Sequence, residues 1–177
     1  MAFGLHILFA FWLAVTCSCA SVEKPPGHIL PTGDTEDINH ASSKYLPVLK
    51  YDPKRDAATD IEEAILEARR THRRVLVEVG GEWCIWCHIL DRFFDDNRAL
   101  LEYRVKHFVM VKVNYSPENK NMKVLSRYPK IPGYPHIFVL DGEGKLLHSQ
   151  PTERLESGKG YSVERVSDFL RRWAAEM

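Results

Sequence analysis

The sequence predicts an α/β sandwich built on a mixed sheet, and three observations predict it. Short β-branched runs, at residues 75–77 and 108–113, alternate with stretches whose apolar residues recur at helical spacing. The first run is followed by Ile89, Leu90, Phe93 and Phe94, so strand periodicity gives way to helix periodicity. Two later runs flank Asp141, Gly142, Glu143 and Gly144, a hairpin turn that adds an antiparallel pair.

The opening block, residues 3–20, is almost uncharged and apolar as far as Val15. Small residues follow, with Ser18 and Ala20 at the minus-three and minus-one places of a cut before Ser21. Residues 1–20 therefore read as a secretory signal peptide, although the start carries only the amino terminus and His6, with no Lys or Arg. At about 18 residues the block is slightly short for a spanning helix, and a retained membrane anchor is the alternative. Cys17 and Cys19 fall inside it and read as leader composition; the other reading is a lipoprotein acylated on Cys19 or Cys17. Residues 21–44 are polar and broken by Pro25, Pro26, Gly27, Pro31 and Gly33, the composition of a flexible linker. The expected location is outside the cytoplasm, periplasmic or secreted, with anchoring left open.

Residues 45–177 form the globular domain. Pro47 restricts 46–49 to a short edge strand. Thr59 or Asp60 caps a helix, each with a glutamate three residues on, and Ile61, Ala64, Ile65 and Ala68 make its apolar stripe. A strand over 74–80 and a helix opening at Cys84 come next, then a second helical segment over 97–107 and a strand over 108–113. Ser116 and Pro117 start a helix to about residue 128, with proline at its first position. Strands at 135–140 and 145–149 enclose the hairpin turn. Ser162 caps a last helix that faces the core with Val163, Val166, Phe169, Leu170 and Trp173.

With 24 basic and 24 acidic residues, the chain offers no electrostatic case for nucleic acid or an anionic membrane surface. Cleavage of the leader leaves two of the four cysteines, Cys84 and Cys87, and no pair for a structural disulfide. Both sit where a strand ends and a helix begins, on one face of the first turn and close enough to be bridged. Unpaired amides and the helix dipole at that end favour the thiolate of Cys84, and Cys87 can then displace whatever Cys84 has captured. The chemistry is dithiol–disulfide exchange. Half of a zinc site is the competing reading, but no second cysteine pair exists and only His88 is adjacent, so no metal is expected. His88 lies one turn from Cys84 and reads equally as a surface histidine and as an imidazolium that tunes the thiolate. Trp86, between the cysteines, reads as an apolar platform for a substrate polypeptide.

Trp83-Cys84-x-x-Cys87 at a strand–helix junction, inside this element order, resembles the thioredoxin superfamily. Three further features carry the resemblance. Glu78 lies six residues before Cys84, Lys112 stands in the following strand, and Pro135 follows Tyr134 at the start of another. The resemblance implies a three-layer sandwich with a mixed central sheet, a buried acid at Glu78 paired with Lys112, and a cis-proline at Pro135 beside the disulfide. It implies Cys84, Cys87, Glu78 and Lys112 as the reacting set, and Trp83, Trp86, Tyr134 and Pro135 as the substrate surface. By alternation alone Val77 and Val79 face away from Glu78, so its burial rests on the resemblance. The chain departs from the family's pattern in its Ile85–Trp86 dipeptide, in a glutamate where aspartate is usual, and in Pro132 and Gly133, which lengthen the loop before Pro135.

The expected function is a thiol–disulfide oxidoreductase acting on exported proteins, without a cofactor, on the reducing side. Its partners would be protein thiols and disulfides and a separate redox protein. A disulfide isomerase or oxidase remains the alternative, as does a docking module that keeps the fold and uses the Trp83 and Trp86 surface.

Overall fold

The computed structural model describes residues 45–176. The leader over 1–20, with Cys17 and Cys19, and the linker over 21–44 lie outside the described residues. The elements are α1 (Ala57–Thr71), β1 (Arg74–Gly80), α2 (Ile85–Asp96), α3 (Arg98–His107), β2 (Phe108–Asn114), α4 (Met122–Leu125), β3 (His136–Leu140), β4 (Leu146–Pro151), β5 (Glu156–Ser157), β6 (Gly160–Tyr161) and α5 (Val163–Trp173). Four strands form a mixed sheet in the order β2-β1-β3-β4, with β1 parallel to β2 and antiparallel to β3. Helices α1 and α4 cover one face and α2, α3 and α5 the other, so the architecture is the three-layer α/β sandwich that the sequence predicts.

Strand β1 is central and buried from Val75 onward. Val75, Val77 and Val79 pack toward α1, while Leu76 belongs to the opposite layer with Leu90, Phe94 and Leu170. Alternation puts Glu78 on the Leu76 side, where it is fully buried. Each buried valine contributes about 1.5–3 kcal/mol, and together they outweigh the few kcal/mol that burying one hydrogen-bonded carboxyl costs. The strand therefore holds a polar group in its core.

Several local expectations need correction. Helix α1 is capped by Asp56, not Thr59 or Asp60: Asp56 is extended and its carboxylate accepts from the Ala58 amide. Asp60 lies one turn on, buried and ion-paired with Arg55. Segment 46–49 makes a single bridge, Val48 to Val111, with the Lys112 amide donating to Val48 O at 2.9 Å. That bridge brings Tyr51 under the sheet's end. The helix expected from Ser116 and Pro117 shrinks to the one turn of α4. Asn114 Nδ2 donates to Ser116 Oγ and to Asn119 O, Asn121 Nδ2 donates to Asn114 O, and Asn121 takes a left-handed φ of 48°. Side chains that bond the backbone locally compete with a helix, and here they win. Residues 150–161 are structured, with a 3-10 turn at Thr152–Leu155 and the β5–β6 hairpin. Ser162 caps α5 through the Arg165 amide, as its position predicts, but Val163 faces solvent.

Candidate active site

Strand β1 runs out in Gly80 and Gly81, and a turn closed by the Cys84 amide on Gly81 O starts α2. Cys84 is the N-cap, with extended backbone and its Sγ accepting from the Cys87 amide at 3.2 Å. Cys87 is the third residue of the helix and fully buried, and the two sulfurs are joined at 2.13 Å with Cα atoms 5.2 Å apart. A side chain on Gly80 would collide with Cys87 Sγ and come within 2.8 Å of the Tyr51 hydroxyl. Only glycine lets the sulfur and the phenol close over the strand at this point. Tyr51, Cys84 and Cys87 form one buried cluster against which Trp86 and Tyr134 pack.

Beneath the disulfide, Glu78 Oε1 accepts from the Tyr51 hydroxyl at 2.5 Å, and among the described residues Oε2 has no hydrogen-bond partner. Burial first, and the neighbouring Glu78 second, push the Tyr51 phenol well above its ordinary range. Lys112 is the register partner of Glu78 across β1 and β2, but its ammonium stands 3.5 Å from Glu78 Oε1. Its closer partner is Asp91 of α2, at 2.5 and 2.6 Å from the two carboxylate oxygens. The expected two-member pair is thus a shared arrangement in which Asp91 takes the larger part. The reason is geometric: the lysine stem runs along the sheet toward α2, where Asp91 lies one turn past Cys87.

The rim is aromatic. Trp83 is 53% exposed, donates from Nε1 to Tyr115 O at 2.7 Å, and meets Tyr134 edge-on at 5.5 Å. Tyr134 stacks on Tyr115, and burial followed by that neighbour pushes its phenol up to about 12. Trp86 does not stand out as a platform: it is half-buried and packs edge-on against Tyr161 at 5.8 Å. The exposed residue between the cysteines is Ile85, at 73%. The His88 ring turns to Glu82, its Nε2 2.8 Å from the Glu82 carbonyl oxygen. The Tyr134–Pro135 bond is cis, and the Thr152 hydroxyl donates to Pro135 O at 2.6 Å. A cleft of about 260 Å³ runs between Trp86 and Tyr134–Pro135, with Glu153 and Glu156 at its edge. Just below, His136 is buried against Ser149, 2.8 Å from Nε2, and desolvation lowers its pKa to about 4. Among the described residues no group of three His, Cys, Asp or Glu stands close enough to hold a metal ion.

Sequence reasoning missed Tyr51, Asp91, Tyr115 and Thr152. Asp91 had a signal: Cys84, Cys87 and Asp91 fall at positions i, i+3 and i+7 of one helix face. The others reach the site through long-range packing that no spacing reveals.

A dithiol centre at the start of a helix, over a buried acid and beside a cis-proline, carries out thiol–disulfide exchange, and the chain is a thiol–disulfide oxidoreductase of thioredoxin fold. The sequence profile of the family described as Thioredoxin-like matches residues 56–142, from the cap of α1 into the β3–β4 turn. The chain has the fold and the Trp-Cys-x-x-Cys motif of the thioredoxin superfamily. It is 29% identical over 118 residues to the disulfide bond reductase DsbH of Chlamydia pneumoniae, covering 62% of this chain and 69% of that protein. It also resembles the solved disulphide isomerase of Xylella fastidiosa Temecula1, with a TM-score of 0.58 and 27% identity over 72% of this chain and 98% of that one.

Proposed function

We propose that this protein reduces disulfides in exported proteins. Cys84 attacks the substrate disulfide, Cys87 resolves the mixed disulfide, and Glu78 accepts the Cys87 proton. The observation that carries the direction is the scarcity of donors around Cys84. Among the described residues one hydrogen bond reaches its Sγ, from the Cys87 amide. Ile85 has no polar side-chain group, and His88 is engaged with the Glu82 carbonyl. A strong oxidant needs its first thiolate stabilised in the reduced form. With so few donors the disulfide is favoured, and the dithiol gives its electrons away. The Chlamydia relative carries the name reductase, which supports this direction; the Xylella protein's name, isomerase, denotes the same exchange at a different poise.

The N-cap position of Cys84, against unsatisfied amides and the positive end of the helix dipole, supports its role as attacking thiol. Lys112 keeps the buried Glu78 compensated in charge. An extended substrate segment lies in the cleft along Tyr134 and Pro135 as a short extra strand, with the exposed Trp83 against Tyr134 as the apolar contact. Export rests on the leader over 1–20, and a separate redox protein returns electrons to the Cys84–Cys87 disulfide.

Equilibration of the purified protein with a glutathione buffer tests the direction. A potential below about −180 mV, the isomerase value, is expected, and one near about −120 mV, that of a strong oxidant, would overturn it.

A further inference from the structure

We infer that the Tyr51 hydroxyl is a proton relay between the Cys87 thiol and the Glu78 carboxylate. The inference rests on the reading that Glu78 takes the Cys87 proton, and it names the route. Glu78 and Gly80 lie on the same face of β1, two residues apart, so the carboxylate and the sulfur above Gly80 are neighbours along one side of the strand. The phenolic oxygen is 2.5 Å from Glu78 Oε1. It and Cys87 Sγ both crowd the point where a Gly80 side chain would begin, the oxygen 2.8 Å from it and the sulfur closer still. Tyr51 is 4% exposed, so bulk water has little access to this contact.

The groups that face the phenol come from four elements: Glu78 of β1, Lys112 of β2, Asp91 of α2 and Tyr161 of β6. The Lys112 ammonium lies 4.7 Å over the ring centre. Among these, Glu78 is the one bonded to the hydroxyl. Because burial and Glu78 disfavour the phenolate, the hydroxyl keeps a proton throughout and acts as conduit, not as base.

In the mixed disulfide Cys84 Sγ is bonded to the substrate sulfur and Cys87 is a thiol. The Cys87 proton passes to the phenolic oxygen while the phenolic proton passes to Glu78 Oε1. The freed electron pair on Cys87 forms the Cys84–Cys87 bond, and the bond from Cys84 to the substrate breaks. The substrate sulfur leaves with that pair as a thiolate and takes a proton from water. The protein dithiol is oxidised and the substrate disulfide is reduced.

Tyr51→Phe removes one oxygen and leaves the ring under the Lys112 ammonium. Stopped-flow single turnovers of the full chain with oxidised glutathione separate formation of the mixed disulfide from its resolution. Formation should stay at the wild-type rate, while resolution near neutral pH should fall at least about 10-fold and recover as pH rises and Cys87 ionises unaided. Replacing Tyr51 by 3-fluorotyrosine, which keeps the oxygen in place, should restore resolution to near the wild-type rate. If Glu78→Gln slows resolution and Tyr51→Phe does not, the carboxylate works without the phenol and the relay is overturned. If neither variant slows it, the role of Glu78 falls as well. An equal slowing of both steps, or failure of fluorotyrosine to restore resolution, would make Tyr51 structural and would also overturn the relay.

Discussion

Glu78 and Lys112 face each other across the β1–β2 pairing, yet the lysine's ammonium is held 2.5 and 2.6 Å from Asp91 and 3.5 Å from Glu78. One cation therefore serves two carboxylates in different surroundings. Glu78 is buried, whereas the Asp91 side chain is 39% exposed and can be hydrated. The closer contact is the one that matters less for stability, because water can replace it.

Lys112→Met should accordingly destabilise the oxidised protein by roughly 3 kcal/mol, while Asp91→Asn should cost about 1 kcal/mol or less. Removing the cation leaves the buried Glu78 with Tyr51 as its hydrogen-bond partner and without its ion pair. Urea denaturation of both variants at neutral pH measures the difference. Equal losses would show that Lys112 is there for Asp91 alone.

The sequence made the strand–helix junction legible because the change of period falls on the Cys-x-x-Cys spacing itself. The α/β class and the order of the main elements followed from the alternation of β-branched runs with amphipathic helices, whereas the strand order β2-β1-β3-β4 came only with the structure. The rest was hidden for physical reasons. Tyr51 bonds a carboxylate that lies 27 positions away, through a bridge of a single residue pair, and no periodicity marks such a contact. The α1 cap was misplaced because Asp56, Thr59 and Asp60 are all competent cap residues, and only tertiary burial of Asp60 decides among them. The helix at Ser116 and Pro117 was undone by Asn114, Asn119 and Asn121, whose mutual bonding depends on their positions in three dimensions. Trp86 was read as exposed because Tyr161, its packing partner, lies in a segment that carried no strand signal.

Cys87→Ala should accumulate mixed disulfides with protein substrates through Cys84, and Cys84→Ala should trap none. The N-cap sulfur meets the helix amides, whereas Cys87 lies within the helix and is fully buried. Non-reducing gels followed by mass spectrometry of the adduct read the outcome. Adducts on Cys87 in the Cys84→Ala variant would reverse the assignment.

The two tryptophans should separate binding from stability. Trp83 is mostly solvated and held by one hydrogen bond, so Trp83→Ala should change stability by less than about 1 kcal/mol and raise KM for a protein disulfide about 10-fold. Trp86 packs into the layer of Tyr161, Phe93 and α5, so Trp86→Ala should cost about 2–4 kcal/mol. Thermal unfolding and steady-state kinetics on the same preparations check both. A Trp86 variant of wild-type stability would return that residue to the substrate surface.

His136 should make the domain acid-sensitive. The imidazole is fully buried beside Pro135, with Nε2 on Ser149 and, among the described residues, no hydrogen-bond partner for Nδ1. Desolvation first, and the neighbouring His148 second, lower its pKa from 6.5 to about 4. The sign follows from proton binding: between those two values the unfolded chain takes up a proton that the folded chain refuses. Stability from this group is therefore complete above about pH 6.5, falls as pH drops toward 4, and levels off once the folded form is protonated too. Across that window the loss should reach up to roughly 3 kcal/mol. His136→Phe keeps a ring to pack on Phe138, at the 4.7 Å separation of the present pair, and has nothing to protonate. The difference in unfolding free energy between wild type and this variant, measured in urea at pH 7.5 and again near pH 4.5, should shift in the variant's favour as the solution is acidified. A difference that stays constant across that range would mean His136 carries the same charge folded and unfolded.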